Sequence, residues 1–448
     1  MGTPGWAREL ERWLAPFLAR LSRQAQRRWA PVYLRGLLVP GERKSIEPMA
    51  QRVAPGDVQQ LHHFIAAAPW ATAPLEAELA RQAERLVGGP GAVLVIDDTA
   101  LVKQGKHSAG VQRQYCGQLG KRANCQALVS LTLARHEVPV CIGLRLFLPE
   151  AWAADPERCR RAGVPADMAH RPKWRIALDE IDRVIAAGAT FGCVLADAEY
   201  GKAAAFRQGL SERGRLWAVG VLPAQKVYPA DVTLRAPQRP ATGRPQRHPT
   251  PSAKSISAAK LVAALPHTAF HRLTWRRGTK GPLRAAFAAV RVRVADGPLM
   301  ARGQHLPGAA AWLVCERRAS GEQKYYLTNH PAATPLKVLA ATLKQRWVCE
   351  PVHQQMKEEL GLDHFEGRSW RGLHHHALMC MLAFAFLQHL RLGGQKKPRC
   401  ATGNRATAAA VPTGGATAHH YRTHQRALAL SAMRPSHRAS APTLNMAE

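Results

Sequence analysis

Acidic side chains are scarce in this sequence: 31 aspartates and glutamates face 63 lysines and arginines, a formal net charge of +32 over 448 residues. Such a deficit points to a polyanionic partner, with nucleic acid the first candidate. Cysteines number nine, scattered, with no Cys-x2-Cys pair, so neither a zinc module nor a disulfide framework is indicated. A reducing cytosol fits. Long apolar runs are missing too. The longest, Ala377 to Leu387, is too short to span a bilayer, and the N-terminus has no apolar signal core. A cytoplasmic, nucleoid-associated protein without a membrane partner is expected.

What is present is a real core. Hydrophobic residues make up 46% of the chain, enough for two or three folded domains. Residues 1–90 read as helical, with Trp6, Leu10, Trp13, Leu14, Phe17 and Leu21 at helical spacing, and further helices around Leu61 and Leu79. Gly88-Gly-Pro-Gly91 then breaks the chain, without the Gly-Lys-Ser/Thr of a phosphate loop. The apolar run Ala92 to Ile96 leads into Asp97-Asp98-Thr99, and the run Cys193 to Ala196 leads into Asp197. Acids beyond the tips of buried strands stand where an open α/β sheet holds its ligands. Between them lie a hairpin (Gln126 to Leu133, Val138 to Leu146) and an amphipathic helix from Arg171 to Gly188. Arg215 to Val221 reads as a last strand.

Residues 223–334 open with Pro- and Arg-rich loop composition and continue with strand signals, a β-rich insertion. Helices resume over 335–392. After Leu392 the composition turns basic and poor in aliphatics, so 393–448 is expected to be largely disordered. The contiguous His374-His375-His376 has the wrong spacing for a helical zinc site and reads as the polar start of the last helix.

Two stretches carry chemistry. Lys103-Gln-Gly-Lys106-His-Ser-Ala-Gly110-Val-Gln-Arg113-Gln-Tyr115-Cys-Gly117-Gln-Leu-Gly120-Lys121 gathers four cations, a Tyr and four Gly beside the first acids. That is a surface suited to tracking phosphates with an aromatic for stacking. Arg346-Trp-Val-Cys-Glu350-Pro-Val-His-Gln-Gln-Met-Lys357 sets Arg, Glu and Lys at offsets of four and seven, one face of a continuous helix. Pro351 either kinks that helix or starts a new one, in which case Arg346 belongs to the preceding element.

These residues resemble the bacterial insertion-sequence transposases of the DDE type, which carry an RNase H-like core. Arg346, Glu350 and Lys357 fit that group's Tyr-x2-Arg-x3-Glu-x6-Lys pattern, with Leu343 in the place of the Tyr. The 103–121 string looks like a signature of one subgroup, and His364 to Gly372 resembles another of its motifs. The resemblance implies an α/β fold: an RNase H-like core (91–222 and 335–392), interrupted by the insertion and preceded by a helical DNA-binding domain. It implies Asp98, Asp197 and Glu350 as catalytic ligands of two Mg²⁺ ions (Mn²⁺ as a substitute). An acid followed by Thr favours Asp98, with Asp97 the runner-up. Lys103, Lys106, Arg113, Lys121, Arg346, Lys357 and Arg368 would meet phosphates. Glu199 reads as an outer or solvated acid. The implied activity is cut-and-paste strand cleavage and transfer, by a homodimer on double-stranded DNA carrying the terminal inverted repeats and the target. The residues leave open a nuclease without strand transfer, and a decayed or domesticated copy that only binds DNA.

Overall fold

The computed structural model describes residues 5–237, 249–278, 281–300 and 303–395; most of the basic tail read as disordered, 396–448, lies outside them. Five helices come first: α1 (Gly5–Leu18), α2 (Gln24–Leu38), α3 (Ile46–Val53), α4 (Val58–Ala66) and α5 (Ala73–Val87). Then follow β1 (Gly89–Val102), β2 (Gln112–Cys116), β3 (Lys121–Arg135) and β4 (Val138–Leu146). Short helices α6 (Glu150–Ala153) and α7 (Pro156–Arg161) lead to α8 (Lys173–Ala186), β5 (Phe191–Ala196), α9 (Ala198–Gly201), α10 (Ala204–Glu212) and β6 (Leu216–Val221).

These strands form a mixed sheet. β1 is antiparallel to β3 and parallel to β5, and β5 is parallel to β6. β3 pairs with β2 through its first residues and with β4 through its last. The crossovers between parallel neighbours run through helices, as they must. His136 and Glu137 both take positive φ (48° and 63°) at the β3–β4 turn, the conformation of a tight two-residue hairpin.

The insertion adds β7 (Lys226–Pro229), β8 (Leu234–Arg235), β9 (Thr250–Pro251), β10 (Ile256–Ser257), α11 (Ala258–Ala263), β11 (His271–Gly278), β12 (Gly281–Val294), β13 (Ala310–Arg317) and β14 (Gln323–Thr328). It does not stand apart. β14 lies antiparallel on β6, so the insertion prolongs the central sheet to twelve strands among the described residues. The chain ends in α12 (Leu336–Lys344), a 3-10 turn (Gln345–Val348), α13 (Cys349–Glu358) and α14 (Trp370–Gln395).

Both sheet faces are covered. On one, Leu94 and Ile96 join a core with α8, α14 and the first five helices; on the other, Val93 and Val95 pack with Leu339, Val348 and Cys349. α14 is apolar nearly all round, and Phe384 and Phe386 are fully buried. Side chains of that size contribute roughly 1.5–3 kcal/mol each when buried. The N-terminal helices share this core. Trp13 packs on Phe386 at 5.7 Å, and Tyr33 hydrogen-bonds His376 Nδ1 at 2.8 Å. The three histidines of α14 are buried packing elements: His375 stacks on Trp70 at 3.6 Å. Among the described residues no helix is long and apolar enough to cross a membrane.

Candidate active site

β1 continues past its acids. Asp97 and Asp98 pair with Ser130 and Val129 of β3, and the strand runs on to Val102. The parallel partner β5 leaves earlier, at Ala196 opposite Ile96. The two acids therefore sit mid-strand in one ladder and just beyond the end of the other. Alternation sends them to opposite faces.

Asp98 faces α8. Its carboxylate takes Lys173 Nζ at 2.5 Å and the Tyr200 hydroxyl at 2.6 Å. Burial pushes its pKa up, partly opposed by Lys173 and Tyr200. Asp97 faces the late helices. Its Oδ2 takes Arg346 Nη1 at 2.7 Å and the Cys349 thiol at 2.9 Å, while its Oδ1 accepts the Asp98 amide at 2.8 Å. The other arm of Arg346 reaches Glu350 Oε1 at 3.1 Å. One guanidinium thus bridges Asp97 and Glu350.

Asp197 caps α9, its Oδ1 accepting the amides of Glu199 (2.9 Å) and Tyr200 (3.3 Å). Tyr200 thereby touches two acids, by its amide and by its hydroxyl. This turn lies so close on β6 that a Cβ at Gly201 would stand 1.8 Å from the Gly220 carbonyl oxygen, so only glycine fits. Burial, then the neighbouring Asp97 carboxylate, pushes the Asp197 pKa up to about 6. Crowded acids of this kind are relieved by a cation.

The late segment resolves the Pro351 question. α13 begins at Cys349, so Pro351 is its third residue, where a missing amide costs little; Arg346 belongs to the 3-10 turn before it. The Arg346–Glu350 pair survives this break. Lys357 does not share Glu350's exposure: it is 7% exposed, donates to Gln118 of the β2–β3 hairpin, and burial lowers its pKa. Lys103 is likewise engaged, donating to the Phe365 carbonyl and lying over the Phe365 ring. Lys106, Arg113, Lys121 and Arg368 are exposed, as is Tyr115. Glu199 is exposed and paired with Lys202 at 2.7 Å.

Sequence reasoning missed Lys173, Ser130, Cys349 and His353 as site neighbours. Ser130 Oγ donates to the Asp97 carbonyl and meets buried His353 Nε2 at 2.8 Å. Burial lowers the His353 pKa to about 4, which keeps it neutral. Cys349 was legible from its place before Glu350; Lys173 had no signal beyond starting a helix.

Among the described residues no three His, Cys, Asp or Glu side chains are gathered as a metal-holding group. The donor set still fits a hard divalent ion. It consists of carboxylate oxygens, Asp197 is crowded by Asp97, and a cationic group already lies between Asp97 and Glu350.

A probable transposase for insertion sequence element IS701 from Microchaete diplosiphon is 30% identical over 161 residues, which is 36% of this chain and 40% of that relative. The cryo-EM structure of a piggyBac transposase synaptic complex with hairpin DNA aligns over 88% of this chain and 74% of its own, at 9% identity and a TM-score of 0.43. A family model described as DDE superfamily endonuclease matches residues 16–282, which include Asp97, Asp98 and Asp197 and stop short of Glu350. The chain belongs to the DDE superfamily endonucleases.

Proposed function

We propose that this chain is an insertion-sequence transposase with an RNase H-like core, cleaving and joining DNA strands at the ends of its element. The observation that carries this reading is the shared guanidinium: Arg346 joins Asp97, on a central strand, to Glu350, on a helix far along the chain, beside a crowded Asp197. Asp197, Glu350 and one of the β1 pair would hold divalent metal, Mg²⁺ or Mn²⁺. Contacts with the late helices favour Asp97 over Asp98 for that place. Bound there, the metals would supply a water or 3′-hydroxyl nucleophile and a stabilised leaving oxygen.

The chain's own residues do the rest. Asp98, held by Lys173 and Tyr200, fixes the strand and aims its amide at Asp97. Cys349 and Arg346 orient the Asp97 carboxylate. With Asp97 and Glu350 holding metal, the Arg346 guanidinium would be free to meet a non-reacting phosphate, for which its planar fork is suited. The partners proposed are the terminal repeats and target DNA, with two copies of the chain bridging two ends.

The test is nicking of the element's own terminal repeats with Mg²⁺, followed by joining of a pre-cut end to target DNA. EDTA should abolish both while leaving DNA binding intact. Nicking without joining would indicate a nuclease; binding without nicking would indicate a decayed or domesticated copy.

The β2–β3 hairpin is the proposed DNA-tracking surface. Arg113 and Tyr115 point outward from β2, with Lys121 and Arg122 beside them and Gly120 in the left-handed region (φ 61°) at the turn. Replacing both Arg113 and Lys121 by Ala should flatten the log K against log salt slope by about 0.9 for each phosphate no longer neutralised. Tyr115→Ala should cost about 1–3 kcal/mol on frayed or single-stranded ends, with little change on intact duplex. Fluorescence anisotropy across a salt series reads both; unchanged slopes would remove the hairpin from the interface.

A further inference from the structure

Two consecutive residues of the insertion meet the segment around Arg346. In a regular strand Trp275 and Arg276 would point to opposite faces. The β11–β12 register shifts between Thr274 and Arg276, leaving Trp275 as the bulged residue. Bulges re-aim side chains next to functional sites. Here both residues engage the segment that carries Arg346. The Arg276 guanidinium lies 3.5 Å from the centre of the Trp347 ring, and Lys344 Nζ lies 4.6 Å from that of Trp275. Each contact pairs a cation from one element with an aromatic from the other.

Both cations are anchored behind. Arg276 pairs with Glu137, in the β3–β4 turn, at 3.2 Å. Lys344 binds both oxygens of Glu316, fully buried on β13, at 2.9 and 3.1 Å. Trp275 is itself fixed edge-on against Phe287 at 5.7 Å. The 3-10 turn before α13 is therefore gripped from the insertion on one side of Arg346, while Arg346 bridges Asp97 and Glu350 on the other.

We infer that the bulged dipeptide Trp275-Arg276 is a positioning clasp that sets Arg346 and Glu350 against Asp97. Arg276 acts through Trp347 and does not touch the reacting atoms. Its side chain is 16% exposed and committed to Glu137, so it is not offered as a DNA contact. The catalytic half of this inference rests on the endonuclease reading above; the clasp itself does not.

The test uses the full chain and two readouts. Hydrogen exchange of metal-free protein follows peptides covering 345–358, with peptides from α1 and α2 as the control. In Arg276→Ala the amides of 345–358 should exchange about tenfold faster, the factor expected from removing a desolvated cation–aromatic pair, while the control peptides stay unchanged. Arg276→Lys keeps the Glu137 pair without planar stacking and should fall between. Trp347→Phe keeps a ring and should stay near wild type, whereas Trp347→Ala should match Arg276→Ala. Nicking assays should show a maximal rate lowered by about tenfold and a raised Mg²⁺ half-saturation, with DNA affinity held within about twofold.

Unchanged exchange in both alanine variants would overturn the clasp. Faster exchange with wild-type Mg²⁺ dependence and rate would overturn the positioning role. A loss confined to DNA affinity would make Arg276 a DNA contact instead. A wild type that never nicks defeats the endonuclease reading and the catalytic half with it, and the exchange result still decides the clasp.

Discussion

If the proposed function holds, Asp97→Asn should reduce Mg²⁺-dependent nicking by on the order of a thousandfold or more, as should Asp197→Asn and Glu350→Gln, because each would delete several kcal/mol of metal-mediated stabilisation. Asp98→Asn should lose far less, about ten- to a hundredfold, because Asp98 acts on Asp97 through its backbone amide, which the substitution keeps. Two arrangements motivate the contrast. Asp97 shares Arg346 with Glu350, whereas Asp98 is taken up by Lys173 and Tyr200 on the other side of the strand. Single-turnover nicking on end-sequence DNA measures the rates, and anisotropy confirms that each variant still binds. A silent Asp98→Asn beside an active Asp97→Asn would return the first ligand to Asp98. If all four variants nicked like wild type, none of these four acids would be catalytic.

That contrast also marks how far the sequence could be read. Apolar runs ending in acids located the strands around Asp98 and Asp197, since a strand buried on both faces must be apolar throughout. Alternation said that Asp97 and Asp98 part ways; it could not say which face receives the late helices, because that depends on chain folding back from residue 336 onward. The motif spacing put Lys357 on the Glu350 face. The β2–β3 hairpin covers that end of α13, so Gln118 meets Lys357 while Glu350 stays exposed. Strand signals marked the insertion, yet its union with the core rests on β14 finding the free edge of β6, a pairing no local pattern encodes. The N-terminal helices read correctly as helices. Their shared core with α14 was hidden, because an amphipathic stripe shows which face is buried and not what buries it.

Arg145→Met should cost about 3–5 kcal/mol of stability, the usual effect of leaving buried charge without its partner. Arg145, on β4, joins Glu76 of α5 to Glu180 of α8. It donates to both Glu76 oxygens, one at 2.9 Å, and to Glu180 at 2.7 Å. Arg183 adds a second cation, 2.7 Å from Glu180 and 3.7 Å from Glu76. The network is where the N-terminal helices are tied to the central sheet. Burial alone would raise the Glu76 pKa; Arg145, with Arg183, reverses this and holds it below the ordinary carboxylate range. A depressed folded-state pKa stabilises above the unfolded value of about 4.3 and is lost as pH falls through the lower folded value. In Arg145→Met the larger of the two cationic influences is gone and Arg183 alone opposes burial, so Glu76 protonates more readily in the folded state and the variant loses less on acidification than the wild type. The stability gap should therefore be widest near neutral pH and narrow as pH falls toward about 4–5. Urea midpoints of both proteins at neutral and acidic pH decide this. Adding Glu76→Gln to Arg145→Met should recover much of the loss, because the stranded Glu76 charge is then gone while Arg183 keeps Glu180 as its partner. A gap below about 1 kcal/mol, in the range of a surface pair, or one that does not change with pH, would reduce the network to surface-like pairing.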